Sequence, residues 1–243
     1  MANVIWITGA SSGIGAALAR TAPPDARVIG VSRRPSAAGE SVLADLADPL
    51  AWTELCRHIS EVLDVERPDH AMLLHFAGAA SPMGPATAAD DDAYRDAVLL
   101  NAAAGQVLGT RFLTACKQTD VPATVVMCSS PAATTPRVGM THYSAGKAAL
   151  ELWTRATALE QALLIRPAAV FCVVPYGVDT PMVRAAMEQP PEDLPLGEIF
   201  RSAAAEGRLA DPIATAHEIW ELIERRVTPG AAIAVGAVPS AAS

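Results

Sequence analysis

The chain has 243 residues, of which 51% are hydrophobic and 18% are charged, a balance typical of a compact globular protein with a sizeable core. Its 26 acidic and 18 basic side chains give a formal net charge of −8, and its basic clusters are no longer than arginine pairs, so we expect no nucleic-acid partner. No apolar run approaches the roughly 20 residues that a membrane-spanning helix needs, so we expect no membrane partner either.

The first predicted strand, Asn3–Thr8, leads directly into a glycine-rich turn. The turn reads Gly9-Ala10-Ser11-Ser12-Gly13-Ile14-Gly15, and helix-forming residues 16–20 follow it. A strand, a glycine loop and a helix in this order place backbone N–H groups and a helix N-terminus where a pyrophosphate can bind. The alternative is a tight strand-to-helix turn that binds no ligand.

A second predicted strand, Arg27–Ser32, ends at an arginine pair. In a doubly wound sheet the end of this strand lies by the adenosine ribose, where an acidic side chain binds the 2′-hydroxyl of NAD. Ser32, Arg33 and Arg34 stand there instead, and two guanidiniums can pair with the 2′-phosphate of NADP. The sequence therefore favours NADP(H) over NAD(H), the alternative being an arginine pair that is merely exposed.

The next segment continues the alternation of strands and helices. Residues Ser41–Leu46 predict a short third strand, whose Asp45 can reach the adenine edge or close a turn. A helix is predicted over residues 48–64 and a fourth strand over residues 71–78. This alternation indicates an α/β fold whose parallel strands are joined by right-handed crossovers.

Two polar candidates come from the middle of the chain. A helical pattern runs from about residue 90 to residue 116, and Asn101 stands in its apolar middle. A buried asparagine needs hydrogen-bond partners, either as a structural group or as part of a polar site. A fifth strand is predicted over residues 123–128, and Ser130 follows it. Because ligands gather at the carboxyl ends of parallel strands, Ser130 is a candidate site residue, the alternative being a helix or turn cap.

Tyr143 and Lys147 lie near the start of a long predicted helix. Residues four apart project from the same face of a helix, so the phenol and the ammonium can serve one site. A phenol ionises near pH ~10, and a nearby cation favours the phenolate. The pair is therefore a candidate acid or base, the alternative being a surface tyrosine beside a solvated lysine.

The last third of the chain contains two strands, a helix and a long irregular stretch. A sixth strand is predicted over residues 168–174, a helix over residues 211–226 and a final strand over residues 231–235. Residues 180–210 are weakly patterned, which is typical of a substrate-binding loop or lid. We expect one domain over residues 1–238 and a flexible tail over residues 239–243.

The four cysteines and five histidines show no spacing typical of metal ligands, so no metal is expected. The cysteines are widely separated and are interpreted as reduced thiols. Together with an N-terminus that has no charged leader, they predict a cytoplasmic location.

The motifs Thr8-Gly9-x-x-x-Gly13-x-Gly15, Asn101, Ser130 and Tyr143-x-x-x-Lys147, in this order and spacing, resemble those of the short-chain dehydrogenase/reductase family. The resemblance covers essentially the whole chain. It implies an NADP-dependent oxidoreductase with a single doubly wound Rossmann domain, a mostly parallel seven-stranded sheet with helices on both faces. Tyr143 would be the general acid in reduction, and Lys147 would lower its pKa and hold the nicotinamide ribose. Ser130 would bind the substrate carbonyl, and Asn101 would support a water-linked proton relay to Lys147.

The resemblance also implies a cofactor site spread over several strand ends. Thr180 resembles the threonine that contacts the nicotinamide carboxamide, and Val178 the residue that adds backbone contacts. The chain departs from the family pattern with Phe76 in place of the usual asparagine before Ala-Gly, and with Tyr176 inserted into the usual Pro-Gly. The full predicted cofactor set is Gly9, Ser11, Ser12, Gly13, Ile14, Gly15, Ser32, Arg33, Arg34, Asp45, Leu46, Ala77, Gly78, Asn101, Tyr143, Lys147, Pro175, Val178, Thr180 and Met182.

Within the family, residues 207–212 and the short tail are similar to the sepiapterin reductase and benzil reductase branch. Residues 231–238 contain no acidic side chain of the kind that anchors a pterin, so an aromatic or otherwise apolar ketone or diketone is favoured as the small-molecule substrate. The predicted substrate-binding residues are Ser130, Tyr143, Tyr176, Met182 and Met187.

Three further points stay open at this stage. One alternative function is an alcohol dehydrogenase that runs in the oxidative direction, and another is a non-catalytic, cofactor-binding regulator. Related enzymes form homodimers or homotetramers through two long helices, which correspond here to about residues 90–116 and 142–162.

Overall fold

A computed structural model describes residues 3–36, 38–225 and 227–236. Seven strands are found in this part of the chain: Asn3–Thr8 (β1), Ala26–Ser32 (β2), Glu40–Leu43 (β3), His70–His75 (β4), Ala123–Cys128 (β5), Ala169–Tyr176 (β6) and Ala232–Gly236 (β7). They form one sheet in the order β3-β2-β1-β4-β5-β6-β7, and every neighbouring pair is parallel. The predicted seven-stranded, doubly wound Rossmann fold is therefore confirmed.

Helices connect the parallel strands. Over the same described ranges they are Gly13–Arg20 (α1), Pro49–Glu66 (α2), Asp91–Val98 (α3), Gly105–Thr119 (α4), Thr141–Gln161 (α5), Pro181–Met187 (α6), Leu196–Ala205 (α7) and Pro212–Glu224 (α8). Two of these starts follow a common sequence signal, an aspartate cap followed by proline. Asp48 accepts the Leu50 N–H before α2, and Asp211 accepts two N–H groups before α8.

The two faces of the sheet bury separate hydrophobic clusters. On one face Trp6 of β1 meets Phe112 of α4 edge to face, with ring centroids 5.9 Å apart. On the other face Ile5 and Ile7 of β1 pack towards α1 and α8, where Trp220 lies. Successive strand residues point to opposite faces, and both faces are covered by helices, so the strands are apolar throughout.

The strand order reverses at β1, which pairs with β2 on one side and with β4 on the other. Crossovers that leave β1 in opposite directions open a crevice at the carboxyl ends of β1 and β4. The predicted site residues follow the carboxyl ends of β1, β2, β4, β5 and β6, so the topology collects them along one edge of the sheet.

Four elements differ clearly from the prediction. Strand β4 ends at His75 rather than at residue 78, because the Thr8 side chain takes the N–H groups of Phe76 and Ala77. Strand β3 ends at Leu43 because Asp45 closes a turn by accepting the Ala47 N–H, and the buried Leu46 accepts the Trp52 indole N–H at its carbonyl. The predicted helix over residues 90–116 is interrupted by a wide π turn, Leu99–Ala104. The stretch 180–210 contains α6 and α7, and its role as a lid stays a prediction.

Some predictions concern residues or properties that the structure describes only in part or not at all. The tail at residues 239–243 lies outside the described residues. Among the described helices, none combines the length and hydropathy of a membrane span. The described part of the chain contains no cluster of three or more side chains suited to bind a metal, and all four cysteines are free thiols.

Candidate active site

The glycine turn between β1 and α1 is shaped by close backbone contacts. Gly9 has a φ of 74°, and a Cβ there would lie 2.9 Å from the Phe76–Ala77 peptide. Gly13 has a φ of 55°, and a Cβ on Gly15 would lie 2.5 Å from the Gly9 carbonyl oxygen. The turn therefore requires glycine at these positions, whether or not a ligand is bound.

The N-terminus of α1 is open to an anion. Ser12 occupies the cap position without a side-chain cap, and the first turn contains no acidic residue. The half-buried Ser11 and Ser12 hydroxyls make no hydrogen bond to another described residue, and Ile14 follows them in the first turn. Free N–H groups and the positive end of the helix dipole are the elements of a phosphate site.

The carboxyl end of β2 presents positive charge. Arg33 and Arg34 are exposed and form no ion pair with any other described residue. The buried Ser32 hydroxyl donates to the Arg34 carbonyl at 2.6 Å and so fixes the backbone of the pair. Asp45 is exposed in its turn, whereas Leu46 is buried and its carbonyl accepts the Trp52 indole N–H at 2.9 Å. The Leu46 side chain therefore belongs to the core.

The ends of β1 and β4 are joined by the buried Thr8 hydroxyl. It accepts the N–H groups of Phe76 and Ala77 at 3.1 and 3.0 Å, so its own hydrogen points to Nδ1 of His75, 3.0 Å away. Burial, together with the charge of Lys147, lowers the pKa of His75 to about 3, so its imidazole is neutral. This arrangement fixes the Phe76-Ala77-Gly78 turn beside the glycine turn.

Lys147 is buried at the carboxyl end of β5. Its side chain is 2% exposed, and its ammonium donates to the Cys128 carbonyl at 2.7 Å. The ammonium lies 5.5 Å from the centroid of the Tyr143 ring, so the predicted helical pair meets in one site. A Cβ on Gly78 would lie 3.3 Å from the ammonium and 3.1 Å from Oδ1 of Asn101. The glycine therefore keeps open the space above both groups.

The acidity of Tyr143 is set by opposing effects. Burial raises the pKa of the phenol above its ordinary value, while the Lys147 ammonium and a hydrogen bond from Ser130 offset part of the shift. The lysine lowers the pKa of the phenol as expected, but burial has the larger effect, so the net shift is upward. The phenol is therefore protonated at neutral pH and suited to donate a proton.

Ser130 also caps a turn, as the alternative interpretation of this residue predicted. Its hydroxyl accepts the Ala132 N–H at 3.2 Å at the start of a short 3₁₀ turn. A hydroxyl has two acceptor positions and one donor, so capping the turn leaves its proton for another partner. Ser130 therefore caps a turn and lies beside Tyr143 as well.

Asn101 lies within the π turn and is fully buried. Its Oδ1 accepts the Ala79 N–H at 3.0 Å, and its Nδ2 donates to the Ala79 carbonyl at 2.7 Å. A third contact joins Nδ2 to Nδ1 of His142 at 3.3 Å. The amide is thus used structurally, and both of its protons are engaged by protein groups.

Helix α5 approaches the π turn unusually closely at Gly146. A Cβ on this residue would lie 2.7 Å from the Cβ of Asn101 and 3.0 Å from its carbonyl oxygen. His142 and Gly146 are four residues apart and therefore lie on the same face of α5. The contact at Gly146 fixes the position of this helix, which contains Tyr143 and Lys147.

The end of β6 and the segment after it form the opposite side of the site. Thr180 caps α6 by accepting the Val183 N–H at 3.3 Å, and its methyl group lies near Gly13. Val178 is buried, and the strand pairing of β6 continues through Pro175 to Tyr176. Tyr176, the residue inserted between Pro175 and Gly177, is thus the last residue of β6, and Gly177 follows with a φ of 50°.

A small apolar cluster surrounds Tyr143. Met140 and Leu194 are buried in it, and the predicted residue Met182 packs against it. Met187 instead lines a separate cavity of about 470 Å³ beside Leu209 and Pro212. The structure therefore places Met182 at the cluster that includes Tyr143 and Met187 in a cavity that Tyr143 does not line.

Sequence reasoning missed three features of the site. Cys128 contributes its carbonyl to Lys147, and Glu151, which is buried, accepts the Ser129 hydroxyl at 2.6 Å. His142 contacts Asn101 although the two residues are far apart in sequence. Only the position of His142 next to Tyr143 offered a signal, because backbone carbonyls and long-range contacts leave no trace in a residue pattern.

Comparison with known proteins agrees with this geometry. Residues 3–191 match the family model described as short chain dehydrogenase. A benzil reductase ((S)-benzoin forming) of Bacillus cereus is 26% identical over 237 residues, covering 93% of this chain and 95% of the relative. The protein of the same name from Bacillus subtilis (strain 168) is 28% identical over 229 residues, covering 92% and 94%.

Solved structures show the same fold. A short chain dehydrogenase/reductase of Saccharomyces cerevisiae superposes with a TM-score of 0.80 at 22% identity, covering 96% of this chain and 95% of that one. A variant of actinorhodin polyketide ketoreductase with NADPH gives a TM-score of 0.78 at 23% identity, covering 96% and 95%.

The contact between α5 and the π turn predicts the effect of one methyl group. We expect Gly146→Ala to lower the free energy of unfolding by about 1–3 kcal/mol, because the added Cβ forces the helix and the turn apart. Urea unfolding measures this change. The matched control is Ser144→Ala, which removes a buried hydroxyl that has no partner among the described residues and should leave stability unchanged or slightly higher. Equal stability of Gly146→Ala and the wild type would contradict the packing argument.

Proposed function

The chain belongs to the short-chain dehydrogenase family, and from this premise we propose that it is an NADPH-dependent oxidoreductase that reduces the carbonyl of a ketone or diketone to an alcohol. The observation that carries the proposal is a buried, protonated Tyr143 held beside Ser130 and Lys147 at the carboxyl edge of the sheet. A protonated donor at this position suits reduction, because the product alcohol oxygen must gain a proton.

The residues present fit a bound dinucleotide. The glycine turn lets a pyrophosphate approach the open N-terminus of α1, and the exposed arginine pair offers two cations for a 2′-phosphate. Tyr143 and Lys147 would hold the nicotinamide ribose, and Val178 and Thr180 would hold the carboxamide. When bound, NADPH supplies the hydride.

The side chains of this site supply the remaining chemistry. As negative charge develops on the carbonyl oxygen, the hydroxyls of Ser130 and Tyr143 stabilise it by hydrogen bonding. Tyr143 then gives its proton to that oxygen, and the Lys147 ammonium stabilises the phenolate that results. Asn101 fixes the Ala79 backbone, so a water-linked relay to Lys147 would have to use groups other than the amide protons.

The proposed substrate is an aromatic or otherwise apolar diketone of the benzil type. Three observations support this choice: the apolar cluster around Tyr143, the packing of Met182 against it, and two relatives named benzil reductase. An apolar pocket with a few convergent polar groups suits such a molecule. Tyr176, half-buried at the end of β6, is proposed as a further substrate contact.

We also propose that the chain acts as a homodimer or homotetramer in the cytoplasm. Helices α4 and α5 present exposed apolar side chains, including Val107 at 37% exposure and Leu152 at 62%, which a second copy would cover.

The role of the phenol predicts the effect of removing a single oxygen atom. Tyr143→Phe is expected to lower kcat for benzil reduction by about 10²- to 10⁴-fold, because the general acid is lost while the ring is retained. Steady-state assays give kcat, and NADPH fluorescence measures cofactor binding, which should persist. Tyr94→Phe removes a phenol oxygen from α3 and serves as the control. A kcat close to that of the wild type in Tyr143→Phe would refute the mechanism.

The direction of proton transfer predicts a pH dependence. Reduction needs the protonated phenol, so its rate should be constant below the Tyr143 pKa and fall as the pH rises through it. Oxidation of the alcohol needs the phenolate, so its rate should rise over the same range. Profiles of kcat in both directions test this prediction. A reduction rate that increases with pH would rule out Tyr143 as the acid.

The arginine pair predicts the cofactor preference. Arg33→Ala should weaken NADPH binding by about 1.5–3 kcal/mol and leave NADH binding nearly unchanged, because only the former has a 2′-phosphate. Fluorescence titration with both cofactors measures the difference, and the exposed Arg20→Ala is the matched control. Equal weakening for NADPH and NADH would overturn the proposed preference.

A further inference from the structure

The residue directly before Tyr143 has a role that the proposed reaction leaves unassigned. His142 is 3% exposed and lies at the start of α5. Its Nε2 is 3.0 Å from the Pro82 carbonyl, and its Nδ1 is 3.3 Å from the amide nitrogen of Asn101. The Tyr94 ring of α3 meets the imidazole edge to face, with centroids 5.4 Å apart at 81°. The imidazole is therefore held by three separate segments.

The hydrogen-bond partners indicate which nitrogen of the His142 imidazole donates and which accepts. The Asn101 amide cannot be flipped, because Ala79 offers an N–H to Oδ1 and a carbonyl to Nδ2. The group facing Nδ1 of His142 is thus a donor, so Nδ1 must accept. The Pro82 carbonyl only accepts, so Nε2 must carry the hydrogen. These contacts suit an imidazole that accepts at Nδ1 and donates at Nε2.

We propose that His142 is a positioning residue of the active site, which holds the Asn101 amide through Nδ1 and the loop at Pro82 through Nε2–H. This inference rests on the proposed reduction, because it assigns His142 a part in setting kcat and KM. The two nitrogens act on different parts of the site, so their effects can be separated.

The Nδ1 contact acts on the proton-donating side. Asn101 fixes both polar groups of the Ala79 backbone, and its own backbone packs against Gly146 of α5. His142 lies one turn before Gly146, so the two residues together fix the first turns of α5 on the π turn. Loss of the Nδ1 contact leaves one buried amide proton unpaired and loosens the placement of Tyr143. The consequence is a lower kcat, since small displacements of a catalytic group are costly.

The Nε2 contact acts on the substrate side. Pro82 lies between Ala80, which belongs to the apolar cluster that includes Tyr143, and Met83, which packs against that cluster. Holding the Pro82 carbonyl keeps this loop against the cluster. Loss of the Nε2 donor is therefore expected to raise KM for the carbonyl substrate and to leave kcat nearly unchanged.

Three substitutions at this position separate the two contacts. His142→Asn keeps an acceptor where Nδ1 stands and loses the donor to Pro82. His142→Gln keeps a donor where Nε2 stands and loses the acceptor. His142→Phe keeps the ring but loses both polar contacts, and Tyr94→Leu, which removes only the ring contact, is the control for packing.

The kinetic arm measures kcat and KM for benzil with NADPH. His142→Phe and His142→Gln should lower kcat about tenfold, whereas His142→Asn should stay within about threefold of the wild type. KM for benzil should rise in His142→Asn and His142→Phe but not in His142→Gln.

In an Asn101→Ala background, His142→Phe should have little further effect on kcat, because the two residues act as one unit. The inference is overturned if His142→Asn is as slow as His142→Phe, or if His142→Phe alters only stability. If His142→Phe does not fold, the comparison of His142→Asn with His142→Gln decides the same point.

The spectroscopic arm does not depend on turnover. Long-range ¹H–¹⁵N spectra of protein labelled at histidine report the tautomer, and His142→Asn identifies the signal that is lost. A neutral ring with its proton on Nε2 is expected. A protonated ring or an Nδ1–H tautomer at neutral pH overturns the inference. If no carbonyl is reduced, the proposed function fails, and the tautomer alone decides whether His142 holds Asn101.

Discussion

The buried ammonium of Lys147 is the group around which this site is arranged. A cation that is 2% exposed must be compensated, and the structure meets this need with the Cys128 carbonyl at 2.7 Å and the face of the Tyr143 ring. The hydrogen bond joins α5 to the carboxyl end of β5, so a residue on a helix is fixed to the edge of the sheet. The same charge contributes to keeping His75 neutral and moderates the pKa of the phenol.

A second constraint comes from the close approach of α5 to the π turn. The wide turn at Asn101 is accommodated because Gly146 has no side chain, and the amide is then held by Ala79 and His142. Together they fix the position of α5, the helix that contains Tyr143. Packing and polar satisfaction therefore support the same geometry, which is the condition for a well-placed catalytic group.

The two halves of the site have different physical characters. One half consists of glycines with positive φ and the open N-terminus of α1, beside the exposed arginine pair. The other half consists of apolar side chains around Tyr143, with Met182 and Met83 packed against them. This division suits a charged dinucleotide on one side and an apolar carbonyl compound on the other. It also explains why the phenol is buried and its pKa is raised.

The family resemblance predicted that Tyr143, Lys147, Ser130 and Asn101 share one site, and the α/β fold and the parallel sheet could be predicted from the sequence because strand alternation is a local property. Strand β5 was predicted with its observed bounds for the same reason. The π turn, the end of β3 and the contact of His142 with Asn101 were decided by tertiary structure. So was the direction of the Tyr143 pKa shift, since helical spacing predicts a neighbouring cation but not the burial that outweighs it. Desolvation and long-range hydrogen bonds depend on what the rest of the chain packs around a residue, and no local pattern carries that information.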